Sequence, residues 1–192
     1  MSKRAASVTL AAILLWASLV AALGLSISQP ALAAPVIHME DTTSTSGQNI
    51  WSGRPIQAEY VSPSSVLVGK QIDIIVVKLE KSGLPMGDAE IGVFNSDLSV
   101  KKLFATKGVS TLTTSYVNYE FRLSSDAPYT IAAGDRIGVK YVGGTSAVNI
   151  SVMRDTDPAD PFDGSNSYHT SFITSWSSFT SNDLTMTLKL NS

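Results

Sequence analysis

From about residue 55 onward the apolar residues recur with a period of two. Val117, Tyr119, Phe121 and Leu123 alternate with Asn118, Glu120 and Arg122, and Ile137, Val139 and Tyr141 alternate with Arg136, Gly138 and Lys140. Val148, Ile150 and Val152 oppose Asn149, Ser151 and Met153, and Leu184, Met186, Leu188 and Leu190 oppose Asp183, Thr185, Thr187 and Lys189. Successive side chains of a strand point to opposite faces, so these segments predict strands with one buried and one polar face. The run Ile74-Ile75-Val76-Val77 is apolar on both parities, which predicts a central strand or a bulge that changes the buried face.

Turn chemistry separates the runs. Ser82-Gly83-Leu84-Pro85, Ala133-Gly134-Asp135, Gly143-Gly144 and Asp163-Gly164 all admit the positive φ that hairpins and tight loops need. Short strands at such spacing predict an all-β fold, an antiparallel two-sheet β-sandwich of jelly-roll-like kind. Tyr168, Phe172, Trp176 and Phe179 are spaced as on a helical face, but the Ser and Thr residues between them are poor helix formers. A strand over about 167 to 174 followed by a loop is expected instead, and no helix is predicted beyond the N-terminal segment.

The alternation is absent before residue 55, for two reasons. Residues 1–33 carry Lys3 and Arg4, then an apolar run from 8 to 25, then Ala31-Leu32-Ala33, the layout of a secretory signal peptide with a small-residue cleavage site. An uncleaved membrane anchor is the alternative, since roughly 20 apolar residues suffice to span a bilayer. Residues 34–54, with Thr42-Thr43-Ser44-Thr45-Ser46-Gly47, predict a flexible leader or an edge segment, leaving 55–192 as the sandwich domain. The product is expected to be secreted or cell-envelope associated, without membrane insertion after signal cleavage.

Charge and cysteine content narrow the function classes. The formal net charge is −2, and removing the signal peptide with Lys3 and Arg4 makes the remainder more acidic, against the basic face that a nucleic-acid binder needs. There are no cysteines, so the exported domain must hold together through its core, without disulfides or thiolate metal ligands.

The densest polar cluster is Arg154-Asp155-Thr156-Asp157-Pro158-Ala159-Asp160-Pro161-Phe162-Asp163-Gly164. Its carboxylates Asp155, Asp157, Asp160 and Asp163 are the hard oxygen donors that Ca²⁺ takes, so a structural calcium is one expectation and a solvated acidic turn the other; the spacing is not that of an EF-hand. Glu80, Glu90 and Glu120 are the carboxylates considered for glycoside hydrolysis, which needs two facing one another across a cleft. None sits in a recognisable catalytic setting, and Glu120 with Arg122 predicts surface ion pairing. His38 and His169 are far apart and predict neither a metal site nor a catalytic triad, so no enzyme activity is expected. Aromatic rings provide the stacking platforms for sugars, and Phe94, Tyr116, Tyr168 and Trp176 are the candidate ligand-binding residues; by parity Phe94 opposes Ile91 and Val93, and Tyr116 opposes the face of Val117. Asn149-Ile150-Ser151 is a formal glycosylation sequon.

The segment from Tyr129 through Gly134-Asp135 to Gly143-Gly144, followed by Asp160-Pro161-Phe162-Asp163-Gly164-Ser165-Asn166-Ser167-Tyr168, resembles the jelly-roll modules repeated in exported and surface proteins of ammonia-oxidising archaea and some bacteria. The likeness spans about 57 to 190, with an upstream counterpart in 79 to 94. It implies a sandwich similar to carbohydrate-binding modules, in which the Gly-Asp pair turns one hairpin and the Asp-Gly loop closes another. One copy of the module is expected here, without an attached catalytic domain. The expected function is an exported, non-catalytic module that binds a polysaccharide or a surface glycoprotein through an aromatic-bearing face. A structural or adhesive envelope protein acting through protein contacts is the alternative.

Overall fold

The computed structural model describes residues 34–124, 127–156 and 167–191; Asp157, Asp160, Asp163 and the expected signal segment lie outside them. One sheet is built on β5 (Ile74–Ser82), which β8 (Val117–Arg122) flanks on one edge and β15 (Met186–Leu190) and β11 (Asn149–Asp155) share on the other. β1 (Val36–Glu40) pairs with β15, while β2 (Ser46–Ile50) and β14 (Asp183–Leu184) pair with β11. The second sheet runs β13 (Trp176–Phe179), β12 (Ser167–Phe172), β3 (Ile56–Val61), β10 (Arg136–Lys140), β6 (Asp88–Phe94) and β7 (Val100–Gly108). A small ladder joins β4 (Gln71–Ile72) to β9 (Tyr129–Thr130), and a single 3₁₀ turn at Val109–Thr111 is the only helical element among the described residues.

Every ladder is antiparallel, and the chain passes repeatedly between the sheets, so β3 lies between β10 and β12 rather than beside its sequence neighbours. This is the expected all-β, antiparallel two-sheet sandwich. Its core forms where the apolar parities meet: Leu79, Phe121, Ile150, Val152 and Leu188 from the first sheet pack with Val61, Ile91, Val93, Ile137 and Val139 from the second. Each fully buried aliphatic side chain of this kind contributes about 1.5–3 kcal/mol. Ile75, Val77 and Leu79 of β5 enter the core, and Ile74 on the opposite parity is buried as well.

Residues 34–54 take the edge-segment form rather than that of a flexible leader. β1 and β2 complete the first sheet, and Met39 and Ile50 enter the core, so the sandwich starts well before residue 55. The sequence expectation missed them because Ser, Thr, Gln and Asn dilute the alternation. β13 was missed for the same reason: the expected loop after β12 is a return strand, Trp176–Phe179, pairing with 169–172.

The Gly134-Asp135 turn works as expected, with added anchoring. Gly134 adopts φ +86°, which a side chain would oppose. Asp135, 1% exposed, accepts hydrogen bonds from the Tyr129 hydroxyl at 2.7 Å and the Ala132 N–H at 2.8 Å, and pairs with Lys101 Nζ at 2.6 Å.

Candidate functional site

Alternation along β3 divides the second sheet into two chemically different faces. Val61 points into the main core with Gln57 and Glu59 on its parity, whereas Ile56, Ala58 and Tyr60 lie on the opposite, outer face. The ladder registers extend these parities into rows across the outer face. The first row runs Tyr168, Tyr60, Arg136, Phe94, Val100; the second Thr170, Ala58, Gly138, Gly92; the third Phe172, Ile56, Lys140, Glu90.

The small middle row leaves a shallow trough between two rows of large side chains, and the β12–β13 hairpin folds an aromatic residue over it. Trp176 packs against the Ile56, Ala58 and Phe94 cluster, meets Phe172 edge to face at 5.6 Å between ring centres, and donates its indole N–H to the Ser96 carbonyl at 2.7 Å. Its ring stacks on the Arg136 guanidinium at 4.4 Å. The same guanidinium lies 5.1 Å from the Tyr60 ring, and Tyr60 meets Tyr168 at 5.1 Å with the rings tilted by 41°. The result is a continuous aromatic and cationic platform of Tyr168, Tyr60, Arg136 and Trp176, each side chain partly exposed. Beyond the third row a cleft of about 370 Å³ is lined by Asp88, Glu90, Thr106, Lys140 and Val142, with Lys140 and Glu90 paired at 2.9 Å.

Of the four aromatic residues singled out in the sequence, the structure brings Tyr168 and Trp176 together here, buries Phe94 beneath them and places Tyr116 elsewhere. Phe94 has the expected parity, opposite Ile91 and Val93, but it is fully buried because Trp176 and its neighbours cover it. It supports the platform from beneath and presents no surface. Tyr116 belongs to the first sheet, where its hydroxyl fills the space that a side chain at Gly47 would need. Burial is the main cause that pushes its phenol up to about 12, with Ser151 and Glu80 as its polar neighbours. Tyr60 and Arg136 were not anticipated. Arg136 stands on the polar parity of its strand and Tyr60 shares a parity with Ile56 and Ala58, and sequence alone gives no sign that these strands place ring and charge side by side.

The acidic cluster is represented by Asp155 alone, its other three carboxylates lying outside the described residues. Asp155 is 1% exposed and faces Asp183 across the β11–β14 ladder. Among the described residues no group of three or more acidic or histidine side chains is arranged to hold a metal ion. The glycosidase candidates do not share a cleft: Glu90 is on the outer face of the second sheet, whereas Glu120 and Glu80 are on the first, Glu120 pairing with Arg122 at 2.8 Å and Lys189 at 3.3 Å as surface ions.

Beneath the platform the inward parity carries an unexpected polar layer. His169 is fully buried, stacks on Phe179 at 5.0 Å, and shares a 2.7 Å hydrogen bond with Gln57. Burial, then the nearby Arg154 and Arg54 charges, pull its pKa down to about 3. Glu59, also fully buried, accepts the Leu184 N–H at 3.2 Å, and burial followed by the Asp183 charge raises its pKa well above the usual carboxylate range.

No family model matches the chain, and no curated protein matches it in sequence.

Proposed function

We propose that this chain is an exported, non-catalytic module that binds carbohydrate, as polysaccharide or as the glycan of a surface glycoprotein, on the outer face of its second sheet. One observation carries the reading: Tyr60, Tyr168 and Trp176 lie side by side on a partly exposed face, with Arg136 among them. The apolar face of a sugar ring stacks on such rings, and polar groups at the rim bond its hydroxyls. The cleft beside Lys140 and Glu90 adds such groups at one end. Calcium, held by Asp155 with Asp157, Asp160 and Asp163, is proposed as a structural ion.

The test is binding of the purified protein to a broad glycan array, in calcium and in chelator, beside Trp176→Ala. Binding that Trp176→Ala abolishes while the β-sheet circular dichroism persists supports the reading. Signal lost only in chelator assigns the ion a role in shaping the site. A blank array refutes it and favours the second reading, an envelope protein that assembles through its edge. For that reading the relevant observation is β1, an edge strand whose Val36 and Ile37 are about half exposed. Concentration-dependent mass would then be expected.

A further inference from the structure

Resting on the carbohydrate reading, we infer that the sugar bound on this face is acidic, a uronic acid or sulfated residue whose anion is held by Arg136. The guanidinium occupies the middle of the platform, between the Tyr60 and Trp176 rings. Its protein hydrogen bonding is nearly unused: Nη1 donates to the Gly134 carbonyl at 3.1 Å, and Nε is shielded without any partner. Among the described residues no carboxylate pairs with it.

Among the described residues two nearby acids are committed elsewhere. Asp135, the adjacent residue, is taken by Lys101, the Tyr129 hydroxyl and the Ala132 N–H, and Glu90 in the third row is taken by Lys140. A cation left without a counter-ion in a partly desolvated setting costs free energy that a bound anion recovers. The Nε and Nη2 edge is the side of an arginine that matches a carboxylate or sulfate with two parallel hydrogen bonds, and because Nε is shielded an anion bound there must displace the groups that cover it. The flanking rings supply the complementary half of the site, because an acidic sugar offers both an anion and an apolar ring face. The chain as a whole has a formal net charge of −2, so general attraction of polyanions does not explain an affinity for acidic glycans.

The experiment measures binding of the full chain by calorimetry to polygalacturonate and chondroitin sulfate, with dextran as the neutral glycan and polyglutamate as a polyanion without sugar. Arg136→Gln and Arg136→Lys are measured beside the wild type, each with an unfolding curve. The wild type should prefer an acidic glycan over dextran and polyglutamate by about tenfold or more, a difference of about 1.4 kcal/mol. Arg136→Gln should remove that preference. Arg136→Lys, which keeps the charge but loses the planar fork, should retain only part of it, and it decides the matter if Arg136→Gln fails to fold.

Equal binding of dextran, or an acidic preference that survives Arg136→Gln, overturns the inference while leaving the carbohydrate reading intact. Polyglutamate bound as well as the glycans overturns it in favour of a general anion site. Binding of no glycan at all refutes both.

Discussion

Acidification should drain stability from the sandwich through His169. Gln57 donates its amide nitrogen to the Asn49 carbonyl at 3.2 Å, so its oxygen faces the imidazole and accepts from Nε2–H at 2.7 Å. That fixes the neutral tautomer, with Nδ1 bare and without a partner in the interior. Adding a proton places a charge in a fully buried ring with Arg154 and Arg54 as its charged neighbours, which is why the pKa falls from 6.5 to about 3. As pH drops through 6.5 the unfolded chain takes up this proton and the folded chain does not. The stabilisation is therefore complete above pH 6.5 and is lost toward pH 3, at about 1.4 kcal/mol per unit within the window.

Between pH 6.5 and 4.5 the loss is roughly 2 kcal/mol. The acids on the same interior side act in the opposite sense. Glu59, raised by burial and by Asp183, contributes stability that is complete below pH 4.5 and declines as pH climbs toward its raised value. Asp155 and Asp183 complete the charged groups around this layer. Urea unfolding from about pH 4 to 8 separates the two effects. His169→Gln, which still offers Gln57 a donor, should flatten the acid limb, and Glu59→Gln should flatten the neutral one. An acid limb of unchanged slope in His169→Gln would refute the assignment.

Two further substitutions probe the scaffold. Asp135→Ala removes the shared acceptor of Lys101, Tyr129 and Ala132 in a buried turn and should cost about 3 kcal/mol by denaturant midpoint; a loss below about 0.5 kcal/mol would show that the turn closes without it. At Gly138 an added Cβ would lie 2.2 Å from the Gln57 carbonyl oxygen and 2.7 Å from the Ala58 Cα, so Gly138→Ala must push β10 from β3. It should cost about 1–3 kcal/mol and alter the near-ultraviolet dichroism of Trp176; an unchanged melting curve and spectrum would contradict the close approach.

The fold was legible wherever one strand face meets the core and the other meets water. β8, β10 and β15 follow the alternation of their sequences, and Gly83, Gly134 and Gly144 take the positive φ that their turns require. Legibility failed where the outer face is itself covered. Phe94 has the parity its sequence predicts, but burial on that side depends on Trp176 arriving from a hairpin some 80 residues later, as its bond to Ser96 records. Polar residues misled in the opposite sense. Gln57, Glu59 and His169 sit on the inward parity and are buried, with Gln57 bonding His169 Nε2 and Glu59 accepting the Leu184 N–H, while His169 Nδ1 keeps no partner. Tyr168 and Trp176 of the candidate site were legible as candidate ligand-binding aromatics, but their meeting with Tyr60 and Arg136 was not, because the adjacency of β3, β10, β12 and β13 is a property of the topology.

That topology also accounts for a site made of strands. Tyr60 and Tyr168 are direct cross-strand partners, and the next pair along the same ladder is Glu59 with His169, facing inward. One ladder therefore sets the spacing of the platform rings and carries the hydrogen-bonded layer behind them. Loop-borne aromatics lose conformational freedom when a ligand orders them, at about 0.5–1.5 kcal/mol per side chain. Rings fixed by a ladder and backed by a close-packed interior have already lost most of that freedom on folding, so a larger share of the stacking energy remains available for holding a ligand.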